Sequence, residues 1–208
     1  MNAPTPALPD LRPDLARIAV MVAPGTRVLD VGCGDGALLA FLKATKDVDA
    51  RGLELSQEGV NACVSRGLSV IQGDADSDLA DYPSGIFDYV ILSQTIQATR
   101  KPSRVLKEIL RIGRRAIVSF PNFGFWKVRL QLLLSGRMPV TGQLTQSWHE
   151  TNNIHLCTLA DFVDLALSLE LKIEEAVAIH DSGRMHGFKA PDALENLFAT
   201  NAILLLSR

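Results

Sequence analysis

Apolar positions along this chain follow two rhythms, one of helices and one of buried strands. Leu11, Leu15, Ile18 and Val22 fall on one helical face, and Pro24-Gly25 ends it. Beyond it, short runs rich in leucine and β-branched residues predict strands at 27–31, 50–55, 69–72, 87–92 and 116–120. Amphipathic helices are predicted between them at 35–45, 57–66 and 102–111. Because the strands are apolar along most of their length, both of their faces must be covered. Such strands, alternating with helices, build a mostly parallel sheet with right-handed crossovers: an α/β, doubly wound fold. A later helix begins at Thr158, where T-L-A-D supplies a threonine cap with Asp161 three residues on. Strands at 172–179 and 201–206 close the chain.

One stretch breaks the alternation. Residues 121–157, PNFGFWKVRLQLLLSGRMPVTGQLTQSWHETNNIHLC, occupy a connection where such a unit normally needs a handful of residues. The apolar run from Trp126 to Leu134, stopped by Ser135-Gly136, predicts a helix within it. An insertion after a strand's carboxyl end lies over the crevice where these folds bind ligands. It is expected to form a helical lid or a partner surface, the latter requiring that Phe123, Phe125, Trp126, Leu130 and Trp148 be exposed. Residues 1–10, rich in proline, read as a flexible tail ahead of a single domain at 11–208.

Composition narrows the partners. With 208 residues, 47% of them hydrophobic, the chain can fill one core. Twenty-one Lys and Arg against 23 Asp and Glu leave a net charge of -2 with no basic block, which argues against nucleic acid. The first residues lack signal-peptide character, and no apolar run reaches membrane-spanning length. Three widely spaced cysteines, Cys33, Cys63 and Cys157, make no disulfide framework. A cytoplasmic protein without a membrane partner is expected.

The chemistry concentrates in VLDVGCGDGAL, residues 28–38. Gly32, Gly34 and Gly36, with Cys33 among them, follow the first strand and open a helix, where backbone amides meet ligands. Their G-x-G-x-G spacing differs from the G-x-G-x-x-G of dinucleotide folds. Asp30 and Asp35 would repel a pyrophosphate and attract an ammonium or sulfonium group. S-adenosylmethionine carries both cations. About twenty residues on, Glu54, followed by Leu55, ends the second strand, where a carboxylate can accept both hydroxyls of a ribose. After the third strand, Asp74 can accept an adenine amino group while Ala75 offers its amide. Ser93 and Gln94 bring the fourth strand to the same edge.

Through VLDVGCGDG, GLELS, GDAD and FDYVILS, in that order, the first three-fifths of the chain resembles the class I S-adenosylmethionine-dependent methyltransferases. That resemblance implies a Rossmann-like, seven-stranded sheet whose last strand is antiparallel, and Asp30, Gly32, Gly34, Glu54 and Asp74 as the principal cofactor contacts. LSQTIQATRKP, RRAIVSFPNFGFWKVR, GRMPVTGQLTQSW and NIHLCTLADF extend a narrower likeness, to the MetW family of bacterial methionine-biosynthesis proteins, nearly to the C-terminus. The family pattern has tyrosine after Trp148 and then threonine-proline-asparagine, where this chain reads HETNN. Membership implies binding of S-adenosylmethionine or S-adenosylhomocysteine and partnership with homoserine O-acyltransferase.

Methyl transfer from a sulfonium is an in-line displacement that positioning alone can promote, so a general base is dispensable for suitable acceptors. Gln97 stands where many small-molecule methyltransferases place a histidine. In the insertion His149 and His155, with Glu150 beside them, are the remaining acid or base candidates. No metal site is expected: His149, His155 and Cys157, and likewise His180 with His186, lack the short paired spacing of zinc modules. Ser93-Gln94-Thr95 also lacks the acid-proline-proline-aromatic turn of DNA amino-methylases. Two functions follow: a nucleoside-binding partner of the acyltransferase, or an active small-molecule methyltransferase with an acceptor pocket lined by Gln94, Asn122 and His155.

Overall fold

The computed structural model describes residues 11–142, 144–189 and 192–208. The expected tail at 1–10 lies outside the described residues. Helix α1 (Pro13–Met21) starts with proline at its first position, where the missing N–H costs nothing. There follow β1 (Arg27–Val31), α2 (Ala37–Lys46), β2 (Asp49–Glu54), α3 (Gln57–Ser65), β3 (Ser69–Gln72), β4 (Phe87–Ser93), α4 (Pro102–Ile112) and β5 (Gly113–Pro121). The insertion carries α5 (Trp126–Ser135). The chain then continues through α6 (Leu159–Ser168), β6 (Lys172–His180), β7 (Met185–Gly187), α7 (Ala193–Phe198) and β8 (Ala199–Ser207).

The strands form one sheet in the order β3-β2-β1-β4-β5-β8-β6-β7. β1 to β5 pair in parallel, and β8 runs antiparallel between β5 and β6. The sheet has eight strands where seven were expected. The additional one is the three-residue β7, which folds back on β6 through a tight turn and is too short to carry a periodic signal. Side chains of β1 alternate between two cores: Leu29 and Val31 pack with Phe120 and Phe162 on one face, and Val28 packs with Ile18, Leu39 and Leu42 on the other. This double covering is what the continuous apolar strands required.

Local chemistry sets the helix ends. Ser56 accepts the Gly59 amide at 3.1 Å to start α3, and Thr158 and Asp161 form the predicted reciprocal capping box of α6. α2 begins at Ala37, two residues later than expected, because Gly36 is left-handed with φ 75°. α5 ends where predicted, at a left-handed Gly136. Among the described residues no helix is long and apolar enough to cross a membrane.

Candidate functional site

Strand order reverses between β1 and β4, and a crevice opens beyond their carboxyl ends. The glycine loop leaves β1 there, Ser93 and Gln94 leave β4 there, and the start of α1 closes the third side. Together they enclose a cavity of about 550 Å³, walled by Arg12, Leu15, Asp30, Gly34, Ser93 and Gln94 among others. A smaller cavity of about 90 Å³ lies on the other side of Gly32, walled by Leu53, Leu55, Asp74, Ala75, Asp76 and Thr99 among others. Gly32 belongs to both walls. A methyl group at Gly32 would stand 2.5 Å from Thr95 Oγ1, and its φ of 75° is left-handed, so only glycine lets the loop cross β4 this closely.

Loop amides that the sequence offers to a ligand are bound within the protein. Gly32 and Cys33 donate to the Leu53 carbonyl at 2.7 and 3.4 Å, Gly34 to Glu54 Oε2 at 2.8 Å, and Gly36 to the Cys33 carbonyl at 3.0 Å. What the loop presents instead is close approach: a Cβ at Gly34 would meet nothing within 4 Å. Asp35 faces outward. It accepts the Ala37 amide at 3.1 Å and pairs with Arg66 at 2.8 Å, which offsets its charge.

Asp30 is only 3% exposed, and its Oδ1 has no hydrogen-bond partner among the described residues. Burial first, and then the nearby Glu54 carboxylate, push its carboxyl up to about 7, against the pull of Arg12. A buried acceptor left open at a cavity wall fits an ammonium ligand, which would restore both its hydrogen bond and its ionised form. Glu54, also buried, takes Ser56 N and Ser56 Oγ on Oε1 at 2.9 Å each, besides Gly34 on Oε2. It joins the glycine loop to the start of α3 and keeps one acceptor position on Oε2. Asp74 and Ala75 stand in the smaller cavity, Asp74 accepting the Asp76 amide at 2.8 Å.

Asp76 had no role assigned from the sequence, and Gln94, expected at this edge, has further contacts there. Asp76 accepts the amides of Arg100 and Lys101 at 2.7 and 2.9 Å, fixing the loop after β3 to the chain after β4. Gln94 adopts a left-handed φ of 53° and donates through Nε2 to Asp14 at 3.2 Å, which ties β4 to α1. It also borders a third cavity of about 390 Å³ beneath the insertion, where Gln97, Phe123, Thr151 and Trp148 stand. No periodic signal marks a residue whose value comes from joining three surfaces.

The expected acceptor pocket is rearranged. Asn122 does not line the third cavity: it is 3% exposed and fully bonded. It donates to the Asn196 and Ala199 carbonyls and accepts the Gly124 and Leu159 amides, all at 2.8 to 2.9 Å. His155 lines a separate cavity of about 260 Å³ with Pro102 and Asp161, while its own amide is held by the Gln97 carbonyl at 2.9 Å. His149 is exposed, with its ring edge-on to Trp148. Neither histidine therefore shares a wall with Gln94. Cys33 and Cys63 lie 3.9 Å apart, and burial pushes both thiols up, keeping them neutral. The insertion divides likewise: Phe125 is buried with Val128 and Leu144, and Phe123 packs on them. Trp126, Leu130, Leu133, Leu134 and Trp148 are exposed.

This fold is that of the S-adenosylmethionine-dependent methyltransferases. The chain superposes on such a protein from Mesorhizobium loti with a TM-score of 0.68 at 15% identity, covering 96% of this chain and 99% of that one. A possible histamine N-methyltransferase from Thermotoga maritima gives 0.67 at 16% identity, over 93% and 86%. Sequence narrows the class further. The family model described as methionine biosynthesis protein MetW matches residues 12–206, and the chain belongs to that family. It is 36% identical over 217 residues to the bifunctional methionine biosynthesis protein MetXA/MetW of Rhodopirellula baltica, covering 98% of this chain and 34% of that protein. The chain thus spans about one third of that relative's length.

Proposed function

We propose that this chain binds S-adenosylmethionine or S-adenosylhomocysteine across the β1–β4 crevice and associates directly with homoserine O-acyltransferase, reporting the state of the pathway to that enzyme. The nucleoside cofactor's amino-acid end belongs in the larger cavity, its ammonium on Asp30, and its adenine in the smaller one, beside Asp74 and Ala75. Glu54 reaches the ribose through its remaining acceptor position. Ser93 and Gln94 close the far wall. The fit rests on Asp30, whose buried Oδ1 lacks a partner among the described residues. When bound, S-adenosylmethionine supplies an electrophilic methyl group; the residues of this chain orient it and exclude water.

The strongest support for the partnership is that the relative from Rhodopirellula baltica joins MetXA and MetW in one chain. A second support is α5, a helix in which Val128 is the one buried residue and Leu133 and Leu134 are 80% and 76% exposed. Burying such apolar area is worth roughly 25 cal/mol per Å² to whatever covers it. Coupling further requires that the nucleoside bind the free and partnered forms unequally.

The deciding experiment measures homoserine O-acyltransferase turnover with and without the purified chain, first in the absence of nucleoside and then with S-adenosylhomocysteine. A rate change that saturates with added chain supports the proposal. An unchanged rate, with no complex in sedimentation, overturns it.

A second reading, methyl transfer to a small acceptor, has the cavity bordered by Gln94 in its favour, since that residue walls both it and the larger crevice. It predicts release of S-adenosylhomocysteine when candidate acceptors are supplied, with the acceptor entering beneath the insertion.

A further inference from the structure

His180, His186 and Glu195 come from three successive elements, β6, β7 and α7, and one nitrogen or oxygen from each falls within 4.8 Å of the others. The pleat brings the histidines together. His186 pairs across the β6–β7 ladder with Ala178, and His180, two residues beyond Ala178, emerges on the same face. Their rings stack with centroids 5.0 Å apart and planes 14° from parallel. Glu195 arrives from α7, whose first turn is capped by Asp192 and whose far end is held by Asn122.

Both imidazole Nε2 atoms address the same carboxylate: His186 Nε2 lies 2.7 Å from Oε1 and His180 Nε2 lies 3.2 Å from Oε2. The second pair, although close, does not align as a hydrogen bond, and both His180 Nε2 and Glu195 Oε2 are buried without a partner among the described residues. Glu195 is itself only 9% exposed. Two buried, facing, unsatisfied atoms are costly unless something sits between them. Adjacent ligands of a tetrahedral zinc ion, at bonds of about 2.0 to 2.1 Å, stand about 3.3 Å apart, which the 3.2 Å His180–Glu195 pair matches and to which the 2.7 Å His186–Glu195 pair would open. Rotations about the broad Cβ–Cγ torsions would unstack the rings and turn their in-plane lone pairs onto one point.

We propose that His180, His186 and Glu195 bind one divalent transition-metal ion, zinc by the character of the donor set. The fourth position faces solvent on the side of His186, whose side chain is 43% exposed. The ion pins the β6–β7 hairpin to α7, at the carboxyl edge of the sheet that also carries the insertion. The sequence offered His180 with His186 but without zinc-module spacing, because the carboxylate comes from a separate element and the five residues between the histidines are a hairpin turn and the first residue of β7.

The full chain, stripped with a chelator, is titrated with Co²⁺ and followed by visible absorption, then back-titrated with Zn²⁺. The expected result is one equivalent of Co²⁺ with an intense ligand-field band, displaced by Zn²⁺, and a rise in Tm on adding Zn²⁺. His186→Ala and Glu195→Gln should each weaken Co²⁺ binding at least about tenfold and abolish the rise in Tm. Should Glu195→Gln fail to fold by circular dichroism, the more exposed His186→Ala decides alone. Absence of stoichiometric Co²⁺ binding, or equal binding by His186→Ala, overturns the proposal and leaves a carboxylate shared between two imidazoles. S-adenosylhomocysteine binding, measured in parallel, reports separately on the crevice.

Discussion

The Gly34 amide donates to Glu54 Oε2 at 2.8 Å, so the acid that ends β2 fixes the glycine loop that follows β1. One carboxylate therefore joins the loop, the cap of α3 and, in the proposed complex, the ribose. Glu54→Ala removes an anionic acceptor from three donors, each charge-assisted bond being worth about 1.5 to 3 kcal/mol. S-adenosylhomocysteine affinity should fall by about tenfold to a hundredfold, with a lower Tm. An unchanged affinity by calorimetric titration removes the ribose assignment.

Asp30 makes the crevice sensitive to pH. Its carboxyl is raised from 3.8 to about 7, so between those values the folded chain holds a proton that the unfolded chain has released. That contribution to stability is complete below pH 4 and is lost as pH rises to about 7. Asp30→Asn should flatten this slope and stabilise the ligand-free protein above pH 7 by on the order of a few kcal/mol. It should also weaken the nucleoside. In the native chain, affinity for an ammonium-bearing ligand should climb with pH up to about 7, with a proton released on binding below it. Calorimetry in buffers of differing ionisation enthalpy reads that proton; pH-independent binding with no proton release would sink the ammonium assignment.

Asn122 ties β5, α6, α7 and β8 through four bonds and is buried. Asn122→Ala leaves two amides and two carbonyls without it, at a cost on the order of 2 to 4 kcal/mol. The urea midpoint should drop accordingly. Asn122→Asp, which keeps both acceptor bonds but cannot donate, should recover only part of the loss, so an aspartate variant as stable as the native chain would contradict the anchoring role.

Leu133 and Leu134 face solvent on α5. Replacing both with glutamine should change Tm little, since exposed positions contribute within about 0.5 kcal/mol each, while abolishing the complex with homoserine O-acyltransferase. Retained association in sedimentation velocity would move the partner surface away from α5.

Much of this protein is already present in its sequence. The continuous apolar strands dictated a sheet covered on both faces, and the cap chemistry at Thr158 and Gly136 set two helix ends, because both depend on neighbours a few residues away. Asp30 and Asp74 stand in cavity walls where the strand ends of a doubly wound sheet converge, while Glu54, expected beside them, lines neither cavity and joins the glycine loop to α3. Only the tertiary structure decided how those groups are used. It bound the loop amides internally and left Asp30 open, since burial and hydrogen-bond partners come from chain distant in sequence. It also turned Asn122 from a pocket wall into an anchor, separated His155 from Gln94, and assembled His180, His186 and Glu195 across a hairpin and a helix. Periodicity records which face of an element is buried; it carries no record of which side chains from different elements meet.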